Sequence, residues 1–204
     1  MGLSDVTSVF ITADSVALDA DGISAAATLS GAGNLTIGGA LASGGSCTFN
    51  AGRIVTILSA GDDSGDTFTV TGTDVNGDAQ TEEITGANAG TATGSKYFKT
   101  VSQIATDGAS AGNVSAGVNA SVADAIYAGR MRLKGAYIVN SGTAGTISFT
   151  TTSPTGTTLM KLGTVASATV TRDVTIPEEG VVFPSGGYIQ YTTATFTSMT
   201  VFHA

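Results

Sequence analysis

The sequence predicts an all-β fold, and three of its features carry that prediction. Charged residues make up only 12% of the chain and glycine reaches 28 residues of 204, whereas average proteins have about 25% charged residues and about 7% glycine. Several segments alternate apolar and polar side chains with a period of two. Turn residues separate these segments about every 8–12 positions. We therefore expect one or two small antiparallel β-sandwich domains of Ig-like or jelly-roll type, with an extended N-terminal arm.

Residues 1–45 are expected to form that arm. Short apolar clusters at residues 9–11, 16–18 and 35–37 alternate with Gly and Ser, and residues 24–27 have room for one helical turn. A segment so rich in glycine cannot build its own core, so we expect it to lie extended on another surface. A partly ordered tail is the alternative interpretation.

A first β-sandwich domain is expected over residues 46–119. Residues 53–58 favour a central strand, and residues 67–71 alternate with Phe68 and Val70 on one face. The Asn76-Gly77 pair is a strong signal for a hairpin turn, after which residues 80–85 return as a strand. Strands over residues 96–104 and 113–118 complete the domain.

The register of this hairpin follows from which side chain is buried. A two-residue loop would pair Val70 with Glu83 and leave Ile84 on the threonine face. A slip of one residue exchanges the two faces of a strand. Burial of Ile84 in place of Glu83 therefore favours a three-residue loop or a bulge, with Ile84 opposite Val70.

Residues 120–130 are expected to form a linker, with room for a short helical turn, and residues 131–204 a second, jelly-roll-like β-sandwich. Turns rich in Ser, Pro and Gly separate its strands. The strands are expected at residues 131–139, 146–151, 159–162, 168–176, 181–183, 188–192 and 199–203.

Charge and composition argue against nucleic-acid and membrane partners. The formal net charge is −8, which repels phosphate backbones. Arg130, Arg132 and Lys134 form the one concentrated basic stretch, but they alternate with apolar residues and are typical of a polar strand face. The first residues, MGLSDVTSVF, lack the basic start and apolar run of a secretory signal, and no apolar run approaches about 18 residues, so we expect neither a signal peptide nor a membrane-spanning segment.

Asp-rich turns at residues 62–66 and 74–78 invite a calcium interpretation, because oxygen-rich loops suit hard cations. The second turn fails the EF-hand pattern, since Ala79 and Thr85 occupy the positions of the conserved glycine and glutamate. Asp, Asn and Gly also favour turns for conformational reasons alone. We expect no metal site and no cofactor.

Catalytic patterns are also weak. His203 is the one histidine and Cys47 the one cysteine, so no disulfide can form within the chain, and neither a Ser–His nor a Cys–His arrangement has support. Glu82 and Glu83 are adjacent on a strand and point to opposite faces. Residues 178–179 lie in a Pro-Glu-Glu-Gly turn. We therefore expect no catalytic residue and a protein that is not an enzyme.

Two passages resemble structural proteins of tailed bacteriophages. The first is RIVTILSAGDDSGDTFTVTGTDVNGDAQTEEITGANAGTATGSKYFKTVSQIATDGASAGNVSAGV, preceded by GAGNLTIGGALASGG; it is similar to a module that recurs in virion proteins. The second comprises GAYIVNSGTAGTISF and VTIPEEGVVFPSGGYIQYTTATFTSMTVFHA, which is similar to small β-sandwich domains of head and tail accessory proteins.

The resemblance implies a virion protein made in the host cytoplasm, and within the virion a capsid decoration, or cement, protein on the capsid surface. Its implied partners are the major capsid protein and further copies of itself, as a homotrimer or another symmetric homo-oligomer, with the arm reaching a neighbour. The alternative is a tail fibre, spike or adhesin component that binds host-surface glycans. A carbohydrate-active enzyme is a third class, which the lack of a marked carboxylate pair disfavours.

Overall fold

The computed structural model describes residues 5–14, 16 and 18–204. Every regular element in these residues is a β-strand, and the predicted all-β class is confirmed. No helix with the length and apolarity for a membrane crossing occurs in the part of the chain that the structure describes. The strands are β1 (Thr7–Thr12), β2 (Asp19–Ala27), β3 (Gly33–Asn34), β4 (Ala42–Ser43), β5 (Ser46–Ser59), β6 (Thr67–Thr73), β7 (Ala79–Thr85), β8 (Thr91–Thr106), β9 (Val114–Tyr127), β10 (Met131–Asn140), β11 (Thr146–Thr151), β12 (Thr158–Gly163), β13 (Thr171–Thr175), β14 (Val181–Phe183), β15 (Gly187–Thr192) and β16 (Phe196–His203).

The chain divides into two compact units. The middle unit is the described part of Ala17–Ala120, and the terminal unit combines the described part of Met1–Val16 with Ser121–Ala204. The boundary at Ala120 falls where the linker was expected to begin, but residues 121–127 continue strand β9. Val122, Ala123 and Ile126 are buried there, and such apolar residues favour a packed strand over an irregular connection.

The terminal unit contains sheet A, in which the strands follow the order β1-β16-β10-β13 and β14 also pairs with β10. β1 and β10 both pair antiparallel with β16. Side chains alternate between the two faces of these strands. The face turned to the core carries the buried residues Ile11, Met131, Leu133, Ala136, Ile138, Met199 and Val201.

A second layer covers that apolar face within the terminal unit. β12, β11, β15 and residues 121–127 of β9 pair in this order, all antiparallel. Their buried residues include Ile147, Phe149 and Ile189. The ring of Tyr191 on β15 contacts that of Phe196 on β16 with centroids 4.7 Å apart, so the unit is a β-sandwich.

The middle unit has its own core, built mainly on β5, β8 and the first part of β9. β5 and β8 are long strands of 14 and 16 residues, and register shifts interrupt their pairing. Such bulges bend strands and increase their twist. The core residues are Ile23, Leu35, Cys47, Phe49, Val55, Ile57, Phe68, Val70, Ile84, Phe98, Val101, Ile104, Val114, Ala116 and Val118.

The expected N-terminal arm is largely extended, and part of its apolar surface is buried within the chain. Ile11 is buried on sheet A, and Ile23 and Leu35 belong to the middle core. Phe10 and Leu18 remain exposed, at 68% and 60%, and the reach of the arm to a neighbouring subunit stays a prediction. Residues 24–27 end strand β2 and do not form a helical turn. Residues 1–4, 15 and 17 of the predicted arm lie outside the described residues.

In the β6–β7 hairpin the side chains face the sides that were predicted, but the register of the two strands differs from the prediction. Ile84 is buried and Glu83 exposed, as expected. However, Ile84 lies opposite Phe68, and Val70 lies opposite Glu82. The reason is the turn: the Asp74 N–H donates to the Asp78 carbonyl at 2.8 Å, which encloses a three-residue loop ending in Gly77 at φ +90°. The loop thus begins one residue earlier than predicted.

Candidate functional site

The outer face of sheet A presents two exposed aromatic side chains in one row. Phe10 on β1 and Tyr137 on β10 both lie opposite Thr200 of β16. Phe10 is 68% exposed and Tyr137 is 40% exposed. Adjacent strands lie about 4.8 Å apart, so the two aromatic positions are roughly 9–10 Å from each other. We call these residues, with Thr200 between them, the aromatic row.

Alternation along the strands explains why the row faces outwards. Ile11, next to Phe10, and Ile138, next to Tyr137, point into the sandwich and are buried. Each neighbour thus anchors its strand and fixes the orientation of the aromatic side chain beside it. The row is therefore held by rigid strands, which reduces the entropy lost when it contacts a partner.

Small and polar residues surround the aromatic row. Asp173 lies opposite Tyr137 on the far side of β10, and Phe202, half-buried, follows Thr200 on the same face. The half-buried Val139, two residues after Tyr137, adds to the apolar centre, and the remaining neighbours on this face are Gly135, Ser8, Thr12, Ser198, Thr171 and Thr175. An apolar centre within a polar rim is the typical composition of a protein–protein docking patch.

The Asp-rich turn at residues 62–66 is joined to neighbouring loops of the middle unit by hydrogen bonds. Asp62 accepts hydrogen bonds from the Ser64 hydroxyl at 2.6 Å and from the Asn88 amide at 2.9 Å. The first of these lowers the pKa of Asp62. Asp63 is buried and accepts from the Ala111 N–H at 2.7 Å.

The second Asp-rich turn is organised in the same manner. The Asp74 carboxylate accepts from the N–H groups of Asn76 and Asp78 at 2.8 and 3.0 Å. Within the described residues, no group of three or more acidic, histidine or cysteine side chains is placed to hold a metal ion. The hydrogen bonds of both turns stabilise the conformation of the loops.

Glu82 is the one glutamate that the fold buries among the described residues. Its carboxylate accepts from the N–H of Ser95 at 2.5 Å, from the Ser95 hydroxyl at 2.8 Å and from the N–H of Lys96 at 3.2 Å. A shallow, open depression of about 360 Å³ lies beside it, lined by Thr81, Glu82, Glu83, Ser95 and Lys96. With its oxygens bonded to β8, Glu82 is placed to hold a strand and not to transfer a proton.

Cys47 and His203 both lie in buried surroundings that shift their pKa values. Cys47 is fully buried in the middle core, and this burial raises the pKa of its thiol to about 11. A nucleophilic cysteine requires a lowered pKa. His203 is buried in the terminal unit and stacks on Tyr127 with ring centroids 5.5 Å apart. Desolvation lowers the pKa of His203.

The basic stretch after Arg130 forms a polar strand face, as its alternation predicted. On β10, Met131 and Leu133 are buried, whereas Arg132 and Lys134 point outwards. Lys134 Nζ donates to the carbonyls of residues 178 and 179 at 3.2 and 3.1 Å. Arg132 Nη1 lies 3.7 Å from a carboxylate oxygen of Glu179. These side chains hold the Pro-Glu-Glu-Gly turn against β10.

Sequence reasoning did not identify the aromatic row. The apolar residues 9–11 predict one cluster, whereas the alternation of a strand places Phe10 on the face opposite Ile11. Tyr137 lies within the predicted strand 131–139, but the prediction does not state which face its side chain occupies. The missing signal was the pairing of β1 with β16, which joins residues more than 180 positions apart. No family model, curated protein or solved structure matches the chain.

Proposed function

We propose that this chain is a structural protein of a tailed-bacteriophage particle, of the capsid decoration type, and that it has no catalytic role. It docks on the major capsid protein through the outer face of sheet A. The observation that carries the docking surface is the exposure of Phe10 and Tyr137, at 68% and 40%, on one face of sheet A. The particle assignment rests on the resemblance of the two passages quoted above to virion proteins.

The chemistry of the aromatic row supports attachment to another protein. Tyrosine and phenylalanine supply large contact areas at a low cost in side-chain entropy, and they are enriched at the centres of interfaces. The hydroxyls of Thr200 and Ser198 and the carboxylate of Asp173 can bond polar groups at the rim. Because the chain has a net charge of −8, docking on another protein is favoured through a patch whose centre carries no charge.

A particle-binding assay tests this proposal. Heads of the encoding phage, made without this chain, are mixed with the purified protein and sedimented. Tyr137→Ala should weaken binding about tenfold or more, the effect of losing a central aromatic contact. Val165→Ala is the matched control, because Val165 is 46% exposed but lies outside the row. Equal binding by both variants would contradict the assignment of the docking face.

One observation favours a second candidate, a tail fibre or adhesin component that binds host glycans. Tyr137 lies between Asp173 and Thr200 on the same face. An aromatic ring can stack on the apolar face of a sugar. A carboxylate and a hydroxyl beside it can accept hydrogen bonds from the hydroxyl groups of the sugar. Binding of the purified chain to host cells but not to heads, with loss of binding in Tyr137→Ala, would select this alternative.

A further inference from the structure

β1 forms one edge of sheet A. In the described residues, β16 is the strand that pairs with it, and no strand pairs with its other side. An edge strand presents N–H and C=O groups that can bond a further strand. Natural proteins protect such edges with charged side chains, proline, bulges or short length.

The other strands at the ends of the sheet orders carry charges. β13 has Arg172 and Asp173, β12 has Lys161, and β7 has Glu83 at its exposed positions. β1, with the sequence TSVFIT, has six residues and neither charge nor proline. Its pairing with β16 runs from residue 7 to residue 12 without a bulge. β1 therefore lacks the charged side chains that these three strands carry.

The direction of the free backbone groups follows from one hydrogen bond. The Ala13 N–H donates to the Thr197 carbonyl at 3.1 Å, so the odd-numbered residues of β1 direct their backbone groups towards β16. Because these directions alternate along an antiparallel strand, Ser8, Phe10 and Thr12 direct theirs to the open edge. Their side chains lie on the outer face of the sheet.

We propose that two copies of this chain associate by antiparallel pairing of β1 with β1, about a twofold axis that passes beside Phe10. Phe10 lies opposite Phe10 of the second copy, and Ser8 opposite its Thr12. An antiparallel pair of identical strands is self-complementary, as an isologous interface requires. The strand brings no charge to the contact, although the whole chain has a net charge of −8. A second copy is therefore the occupant that the edge fits.

This pairing also accounts for the exposure of Phe10. The two phenylalanine rings meet as a cross-strand aromatic pair, and Val9 and Ile11 continue the buried layer from one copy to the next. The two aromatic rows become one continuous row across the dimer. The inference goes beyond the proposed function, because it concerns the chain in solution and holds for a head or a tail protein.

Analytical ultracentrifugation of the full chain tests the dimer. The unmodified protein should sediment as a concentration-dependent dimer. Phe10→Lys places two ammonium groups opposite each other, where like charges destabilise the strand pair, and should raise the dissociation constant at least about tenfold. Tyr137→Lys is the control: it adds the same charge to the same face, but on the internal strand β10, and should leave the dimer intact. A monomeric unmodified chain, or a Phe10→Lys variant that still dimerises, would overturn the proposal.

A cross-link tests the register. In a Cys47→Ala background, Phe10→Cys should form a disulfide-linked dimer on mild oxidation. Opposed residues of a hydrogen-bonded antiparallel pair have Cα atoms about 5.5 Å apart, within the range that a disulfide spans. Ser8→Cys in the same background should not cross-link, because the two Ser8 positions lie about 14 Å apart at roughly 3.4 Å per residue. Linking of Ser8→Cys but not of Phe10→Cys would contradict the stated register.

Discussion

Glu82 lies directly opposite Val70 in the β6–β7 ladder, on the face that packs into the middle core. A buried carboxylate is costly unless its oxygens are bonded. Here the neighbouring strand β8 supplies two N–H groups and a hydroxyl from Ser95 and Lys96. The contact thus links the outermost strand of the hairpin to a strand that is separated from it by β6 in the sheet order.

Glu82→Ala should destabilise the protein by about 1–3 kcal/mol, because it removes a buried hydrogen-bond acceptor and leaves its donors without that partner. Glu83→Ala is the matched control. Glu83 is the next residue but is exposed, so its removal should change the free energy of unfolding by no more than about 0.5 kcal/mol. Urea unfolding measures both variants. Equal losses would show that the carboxylate contact to β8 contributes little.

Ile11 and Phe10 form a second matched pair, on β1. Ile11 is 4% exposed and packs in the sandwich core, whereas Phe10 is 68% exposed. Ile11→Ala should therefore cost about 2–5 kcal/mol, and Phe10→Ala should cost about 0.5 kcal/mol or less in the monomer. Thermal unfolding at low protein concentration measures the loss of stability in each variant. A small effect of Ile11→Ala would restore the interpretation of residues 1–45 as an arm independent of the chain's own units.

His203 should make stability depend on pH between neutral and mildly acidic conditions. Burial lowers its pKa in the folded protein, so the unfolded chain binds a proton first, near pH 6.5. The free energy of unfolding is then at its full value above about pH 6.5 and decreases as the pH falls towards the lower folded pKa.

His203→Phe keeps a ring against Tyr127 and should abolish this decrease, since His203 is the one histidine of the chain. The measurement compares the unfolding midpoints of both proteins at about pH 7.5 and about pH 5.5. An identical decrease in the variant would assign the pH dependence to other groups.

The thiol of Cys47 should be inert in the folded protein. It is fully buried, and its pKa of about 11 leaves almost no thiolate at neutral pH. A coloured disulfide reagent should react far more slowly with the native chain than with the chain in denaturant, where the thiol is exposed. Rapid reaction under native conditions would contradict both the burial and the proposal that the chain has no cysteine chemistry.

Much of the strand pattern follows from local sequence. The predicted strands at residues 146–151 and 181–183 coincide with β11 and β14, because apolar alternation and flanking turns are local signals. The predicted burial of Ile84 and exposure of Glu83 are confirmed for the same reason, because Ile84 is the large apolar residue of β7.

What could not be predicted depends on long-range pairing. The division of the chain sends residues 5–14 to the C-terminal strands and residues 18–45 to the middle unit. No local pattern encodes the contact of Ile11 with Met199 across the β1–β16 ladder. Burial of Glu82 was likewise hidden, because its partners Ser95 and Lys96 lie on a strand beyond the hairpin. The candidate site, which combines β1, β16 and β10, depends on the same pairings.

The most direct test of the proposed function is a reconstruction of the particle made by the phage that encodes this chain. We expect density for the two β units on the outer surface of the head, with the aromatic row of Phe10 and Tyr137 turned towards the major capsid protein. Particles made without the chain should lack that density. Density for the chain in the tail, or an outer face of sheet A directed away from the shell into solvent, would contradict the decoration assignment.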